Sequence, residues 1–428
     1  MSTGGQSDEP ITRYSQHLLQ HLQNDLTQWE HKGLTRSLYP VQAATSTHIQ
    51  IDGKSYLNFA SNDYLGLARH PEVIEASAKA LTTFGLGSTA SHAVCGHFEI
   101  HEALEHRFNQ WVNPTPSSTL DASNACLFSS GYQANLAIIS TLLGHHDAIF
   151  GDKLNHACLN DGAQLSRASF HRFKHNDLDH LSYLLEKHSA PQRMIAVDGV
   201  YSMDGDLAPL EALLNIAERH DTWLLVDDAH GLGVLGDGHG SLKHWGIQHE
   251  RLIYMGTLSK ALGSYGACVS AHPLVIRTLI QRGRPYLYTT AQPPAVAAGA
   301  LAAFDILEHE PERIAHLQAL CTRFRQAMNS SQSGGLWSLA PSMTAIQPLI
   351  VYTTERAMQI NQALKEKGFW VPAIRTPTVP ENAARLRITF SAAHSFEQVD
   401  ALTQALQQCL EVYTSSVIKH SESVDYGI

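Results

Sequence analysis

The sequence predicts an α/β fold: a mostly parallel seven-stranded sheet covered by helices, joined to a smaller C-terminal α+β module. Two observations carry this expectation. From about Asp121 to Ala271, short apolar runs alternate with longer stretches whose apolar residues recur at helical spacing. Beyond about residue 303 that strict alternation stops, and helix-sized and strand-sized segments follow one another in a different order.

Taken in order, Tyr14–Trp29 reads as an amphipathic helix, followed by a short β-rich piece around His48–Phe59. The strands of the central block are expected at Ala125–Phe128, Ala148–Phe150, Ser169–Phe173, Met194–Val197, Trp223–Val226, Leu252–Met255 and Ala267–Ser270. Most are apolar at every position, as a sheet buried on both faces requires. Tyr132–Leu143, Leu178–His188 and Leu210–Arg219 supply intervening helices. In the C-terminal module, Pro311–Met328, Glu355–Lys367 and Phe396–Val412 read as helices, and Pro348–Tyr352 and Leu386–Phe390 as strands. The tail from Ser415 is polar and expected to be loose. The expected division is an N-terminal helix and β-rich segment (1–66), a large ligand-binding domain (67–302) and the C-terminal module (303–428). In parallel sheets ligands bind at the carboxyl ends of the strands, so the residues that follow each run are the functional candidates.

Composition narrows the classes. The 428 residues are 43% hydrophobic, enough for a large packed core, and 30 basic against 40 acidic side chains give a net charge of −10. An acidic balance without a Lys/Arg cluster argues against nucleic acid or an anionic membrane as partner. No apolar run approaches the roughly 20 residues needed to span a bilayer, and the polar N-terminus lacks a signal-peptide pattern. The six cysteines are scattered, with no CxxC pair, so neither a disulfide frame nor a zinc site is expected. Composition thus points to a cytoplasmic globular protein.

Two motifs are discounted. Gly231-Leu-Gly-Val-Leu-Gly236 matches GxGxxG, but Asp227 and Asp228 would repel a pyrophosphate and Asp237-Gly-His-Gly240 breaks any following helix. The glycines are expected to form a turn, which disfavours a nicotinamide dehydrogenase. His101-Glu-Ala-Leu-Glu-His106 is HExxxH, not HExxH, and the five-residue offset puts the two imidazoles on different helix faces. These histidines, with His97 four residues before His101 on the same expected helix, are read as surface residues and no metal site is assigned.

A stronger signal comes from pieces that fall at successive strand ends. Lys260, in Thr257-Leu-Ser-Lys-Ala-Leu-Gly263, is the only cation between Arg251 and Arg277. A lysine near apolar walls has a lowered amine pKa, which suits covalent chemistry with a carbonyl. Asp227-Asp-Ala-His230 closes the strand upstream; a carboxylate beside a pyridine nitrogen would keep it cationic. Ser129-Ser-Gly131-Tyr132-Gln-Ala-Asn135 links a strand to a helix whose free N–H groups and dipole favour an anion. His156, at the next strand–helix junction, offers a flat ring that can stack on a cofactor. Each piece alone has a plain alternative: a surface lysine, a capping acid, a turn, a helix-start histidine.

Together they resemble the pyridoxal-phosphate enzymes of fold type I, the aspartate-aminotransferase fold, and within them the α-oxoamine synthases. The likeness runs from Arg36 to about His394 and includes Asn58-Phe-Ala-Ser-Asn-Asp-Tyr-Leu-Gly-Leu67, Tyr201-Ser-Met-Asp-Gly-Asp206 and the Lys260 segment. Gly368-Phe-Trp-Val-Pro-Ala-Ile-Arg-Thr-Pro-Thr-Val-Pro380 and Arg385-Leu-Arg-Ile-Thr389 are closest to members that join L-alanine to a pimeloyl thioester in biotin synthesis. Relatives acting on glycine, such as glycine C-acetyltransferase and 5-aminolevulinate synthase, share the machinery. A non-catalytic subunit of this fold would be expected to lack the lysine.

The resemblance implies pyridoxal 5'-phosphate as cofactor and roles residue by residue. Lys260 would hold the cofactor covalently and move the alanine Cα proton. Asp227 would face the pyridine nitrogen, His156 the ring and His230 the ring hydroxyl. Gly131, Tyr132, Ser202 and Thr257 match cofactor-contacting positions. Arg387 matches the arginine that takes the amino-acid carboxylate bidentately. Arg36 and Thr378 match contacts to the acyl substrate, carried on coenzyme A or acyl-carrier protein, and Asn62 the same pocket. It also implies a homodimer with sites at the interface, in which Tyr288-Thr-Thr290 forms a strand end reaching the neighbour's cofactor. Two features depart from the pattern: Gly87-Ser-Thr-Ala-Ser-His-Ala-Val-Cys95-Gly96 replaces a more glycine-rich segment, and Asp198 stands where some relatives carry Glu.

Overall fold

The structure, a computed structural model, describes residues 9–31, 34–114, 124–330 and 335–422. The start of the α/β block at Asp121 lies outside them. Its seven strands are β1 (Ala125–Phe128), β2 (Ala148–Asp152), β3 (Ser169–Phe173), β4 (Arg193–Asp198), β5 (Trp223–Asp227), β6 (Leu252–Thr257) and β7 (Ala267–Ala271). They form one sheet in the order β1-β7-β6-β5-β4-β2-β3. Only β7 runs antiparallel, to β1 on one side and β6 on the other. All seven expected strands are present. Most extend a residue or two further than the apolar runs, which makes Asp227 and Asp198 the last residues of β5 and β4.

Burial explains the pattern. Every residue of β1, β2, β6 and β7 is buried, because helices lie against both faces. Helices α1 (Gly131–Leu142) and α2 (Ala157–Ser166) follow β1 and β2 directly. Ser130 caps α1, its hydroxyl accepting from the Gln133 N–H. The alanine-rich helix Pro294–His309 packs closely on helix Pro71–Phe84; a methyl added at Gly299 would come within 2.6 Å of Ser77 Oγ. All six cysteines are free, five of them buried and Cys95 exposed.

In the C-terminal module, an antiparallel sheet holds Ser338–Leu339, Ile346–Tyr352, Ala384–Thr389 and Ala373–Ile374 in that order. A third sheet joins the two ends of the chain, since Lys54–Asn58 pairs in parallel with Phe369–Trp370. Phe59 packs edge-on against Phe390 at 5.7 Å and stacks on His394 at 4.4 Å. These contacts carry the loop after Phe59 and the strand Ala384–Thr389 to the carboxyl edge of the central sheet.

Three expectations need correction. The last helix does not end at Val412 with a loose tail from Ser415; its backbone continues from Phe396 to Glu422, and residues 423–428 lie outside the description. Tyr288-Thr-Thr290 is not a strand end but a turn and bend after the short helix Arg284–Leu287. The histidines near residue 100 are not all on a helix face or on the surface. His97 precedes helix Glu99–Val112, and His101 is fully buried, its Nε2 bonded to the Gln292 carbonyl at 2.9 Å. The GLGVLG segment does form a turn: Val234 and Leu235 N–H groups donate to the Gly231 carbonyl. Gly233, at φ +84°, lets that turn press against Ala261, where a Cβ would lie 2.7 Å from the alanine methyl.

Candidate active site

A cavity of about 200 Å³ opens at the carboxyl edge of the sheet. Gly131, Tyr132, His156, Ser202, Asp227, His230, Thr257 and Lys260 all line it. Residues from separate stretches of chain thus converge on one space, because each stretch follows or ends a strand of one sheet.

Lys260 lies in the turn between β6 and β7 and is half-buried. Its Nζ is 2.8 Å from His230 Nε2. Loss of hydration lowers its pKa from the ordinary 10.5 to about 8, with the Asp227 and Asp198 charges opposing the shift and Arg387 reinforcing it. His230 is buried and held well below its usual pKa by desolvation and then by Lys260 and Arg387, so its ring is neutral. A consistent donor chain follows. Lys260 donates to Nε2, the His230 Nδ1–H donates to Tyr64 Oη at 2.6 Å, and Tyr64 donates to Asn62 Oδ1 at 3.1 Å. Arg387 closes the chain by donating from both terminal nitrogens to the same Asn62 oxygen at 3.2 Å.

The adjacent acids divide, as neighbours at a strand end must, to opposite sides. Asp227 faces the cavity, with Oδ2 accepting from Asn135 Nδ2 at 2.6 Å and Oδ1 from the Ala229 N–H at 3.0 Å. Asp228 turns into the protein, accepting from the Ser241 N–H and Tyr254 Oη, both at 2.7 Å. Burial raises its pKa to about 6, and its role is to tie the glycine turn down. Asp198 is buried beside Asp227, and desolvation followed by that neighbouring charge pushes its pKa well up. Its carboxylate accepts from the His156 N–H at 3.1 Å and so fixes the start of α2. His156 caps that helix through Nδ1, which accepts from the Cys158 N–H.

At the other end of the cavity, Gly131 and Tyr132 begin α1. Their N–H groups, like those of any first helical turn, have no acceptor within the helix and, with the dipole, suit an anion. Thr257 contributes a hydroxyl there, donating to the Gly266 carbonyl at 3.0 Å. Arg387 and Arg385 are two apart on one strand and share a face. Both reach the loop 201–206: Arg387 Nε donates to the Ser202 carbonyl at 2.6 Å, and Arg385 pairs with Asp204.

Arg36 and Thr378 are not brought into this cavity. Both are exposed, and they lie near one another only through Arg375, which donates to the Thr35 carbonyl and accepts at its own carbonyl from the Thr378 N–H. Three residues of the site carry no sequence-based role. Tyr64 and Asn135 stand inside motifs singled out above, and Cys158 lies two residues after His156. A buried asparagine on the apolar face of α1 was the available sign for Asn135.

The donor set fits an aromatic aldehyde phosphate: one cavity is lined by an amine of lowered pKa, a carboxylate, an imidazole and a helix start with free N–H groups. Comparison with known proteins agrees. Residues 54–406 match the family Aminotransferase class I and II. The chain is 48% identical over 384 residues to the 8-amino-7-oxononanoate synthase of Chromobacterium violaceum, covering 90% of this chain and 97% of that one. Among solved structures, a serine palmitoyltransferase from S. paucimobilis with bound PLP is 27% identical at a TM-score of 0.83, covering 95% of this chain and 99% of that one. The 8-amino-7-oxononanoate synthase of Francisella tularensis is 30% identical at 0.71, covering 84% and 99%.

Proposed function

The chain belongs to the class I and II aminotransferase family, and we propose that it is a pyridoxal-phosphate-dependent 8-amino-7-oxononanoate synthase. It condenses L-alanine with a pimeloyl thioester, releasing CO2 and the free thiol, in biotin synthesis. The observation that carries this reading is the 48% identity to a synthase of that name over 90% of this chain, joined to a cavity lined by Lys260 and Asp227 with the Arg387 charge near enough to act on the lysine.

Lys260 would hold the cofactor covalently, with Asp227 serving its ring nitrogen, His156 its ring face and His230 its ring hydroxyl. Gly131, Tyr132, Ser202 and Thr257 complete the cradle, the first two through backbone N–H groups. When bound, pyridoxal phosphate supplies an electron sink for negative charge at the amino-acid Cα. The remaining work belongs to the chain. Arg387 binds the alanine carboxylate, exchanging its bond to Asn62 for a bidentate one to the substrate. Lys260 takes the Cα proton and returns one after CO2 has left; a pKa of about 8 leaves about a tenth of the free amine in the base form at pH 7 and most of it above pH 8. The neutral His230 accepts a hydrogen bond from Lys260 while Tyr64 orients its ring. Arg36 and Thr378, exposed and outside the cavity, are assigned to the acyl substrate by the resemblance alone.

The reading also takes the protein as a homodimer of the cytoplasm, with Tyr288–Thr290 at the partner's site and the division at residues 66 and 302 marking its domains. Tyr288 is strongly exposed, and no described helix is long and apolar enough to cross a membrane. Sedimentation of the holoenzyme at twice the chain mass is the expected result.

The direct test incubates the purified protein with L-alanine and pimeloyl-coenzyme A, or pimeloyl-acyl-carrier protein, and follows the product by mass spectrometry. Turnover of glycine with acetyl-coenzyme A in place of that product would reject the reading. Arg387→Lys keeps the charge but loses the fork. It is expected to raise KM for alanine by about 10-fold to 100-fold, from about 1.5–3 kcal/mol per lost charged hydrogen bond, with a smaller change in kcat. Capture of pyridoxal phosphate by the cofactor-free chain should follow the free amine of Lys260. The rate is expected to rise with pH and level off above about 8, as followed by visible absorbance. Because the folded pKa lies below the unfolded one, the same cofactor-free chain gains stability as pH rises from about 8 towards 10.5.

A further inference from the structure

We infer that His92, His97 and His101 form a binding site for one divalent transition-metal cation, with zinc as its natural probe, outside the catalytic cavity. The three residues come from the tight turn His92–Gly96, the residue after it and the first turn of helix Glu99–Val112. One ring nitrogen from each lies within 4.8 Å of the others. His92 Nδ1 and His97 Nδ1 face each other at 2.8 Å.

The surroundings favour ligation over simple packing. His101 donates its Nε2–H to the buried Gln292 carbonyl, which leaves the lone pair on Nδ1. A metal-bound histidine commonly gives its other N–H to a backbone carbonyl or carboxylate in this way. That Nδ1 accepts from the Phe98 N–H at 3.1 Å, and a cation would displace this bond together with the one between His92 and His97. His97 presents Nε2 to the Glu105 carboxylate at 3.8 Å, and Glu105 is itself fixed by the Leu127 N–H at 2.9 Å. His92 is held flat on Tyr286, with centroids 5.0 Å apart and planes 8° apart.

Magnitudes are compatible. Tetrahedral zinc with Zn–N bonds of about 2.0–2.1 Å holds its ligand nitrogens about 3.3 Å apart. His92 and His97 need open by about half an ångström, and His97 is exposed enough to move. Its exposure also leaves the fourth position to water. Gly96 fixes the turn, since a Cβ there would meet the Ala90 carbonyl oxygen at 2.0 Å. His92 borders a crevice with Ser129, Gln133 and Thr290, so a cation would clamp the 87–97 turn beside the start of α1.

The test is equilibrium dialysis of the holoenzyme against zinc, with metal content measured for wild type, His92→Ala and His97→Ala. Each variant is expected to bind one zinc fewer per chain at low micromolar zinc, or to need at least tenfold more to fill that equivalent. Cobalt(II) gives an independent reading: its visible d–d bands appear in wild type and are lost in both variants. With 26 histidines in the chain, zinc elsewhere is common to all three proteins and cancels. Equal zinc and cobalt signals in the three proteins, or none in any, would overturn the site. Both substituted side chains lie at or near the surface, and unchanged circular dichroism and cofactor absorbance establish that the variants are folded.

Discussion

Lys260→Ala is expected to leave a folded chain whose kcat for the condensation is lower by about 10⁴-fold or more. Two functions are lost together, the covalent hold on the cofactor and the movement of the Cα proton, and proton transfer by a positioned group alone contributes about 10²–10⁴. Stability should change little, because the amine is disfavoured where it sits: burial lowers its pKa to about 8 against an unfolded value near 10.5. Its removal leaves His230 with the Tyr64 bond intact. Steady-state rates and thermal unfolding separate the two outcomes. Borohydride reduction followed by mass spectrometry should find a cofactor adduct on wild type and none on the variant. A variant with near-normal turnover would remove the lysine from the mechanism.

Asp227→Asn is expected to cost about 10²–10³ in kcat, the scale seen when one preorganised electrostatic partner of a developing charge is removed. The amide cannot keep a pyridine nitrogen charged, so the electron sink weakens. The fold has a ready accommodation. The introduced amide oxygen would still accept from the Ala229 N–H, and Asn135, whose Oδ1 has no partner, can flip its amide to receive the new N–H group. Thermal stability within a few degrees of wild type, with the cofactor still bound but slow, is the predicted pair of results. Loss of cofactor with unimpaired kcat at saturating pyridoxal phosphate would show that Asp227 serves binding alone.

The central sheet was legible because burial on both faces writes continuous apolar runs, and all seven strands appear where the runs are. Lys260, Asp227, His156 and the Gly131 turn were legible because each stands at or just beyond the end of such a run. Elements of two residues, such as Phe369–Trp370 and Ala373–Ile374, were not, since they are strands only by virtue of the partners they reach. Tyr64 stood in a noted motif, but nothing local says that its hydroxyl would meet a histidine 166 residues away. His101 was misread for the same reason. Its burial depends on its neighbours in space, Gln292 and His92, which come from distant chain and from a tight turn.

What the sequence determined by itself was the class of chemistry: the order of strands and helices, and the residue types placed at the strand ends. What only the tertiary structure decided was which of those groups meet. Of two adjacent acids, one faces the cavity and the other braces a glycine turn, and alternation along the backbone allows no local rule to tell them apart. Arg387 reaches Asn62 across 325 residues, and the two ends of the chain share a sheet, because hydrophobic burial draws the N-terminal segment and the C-terminal module over the same edge. Residue chemistry is local and can be read in a line; distance is set by packing and cannot.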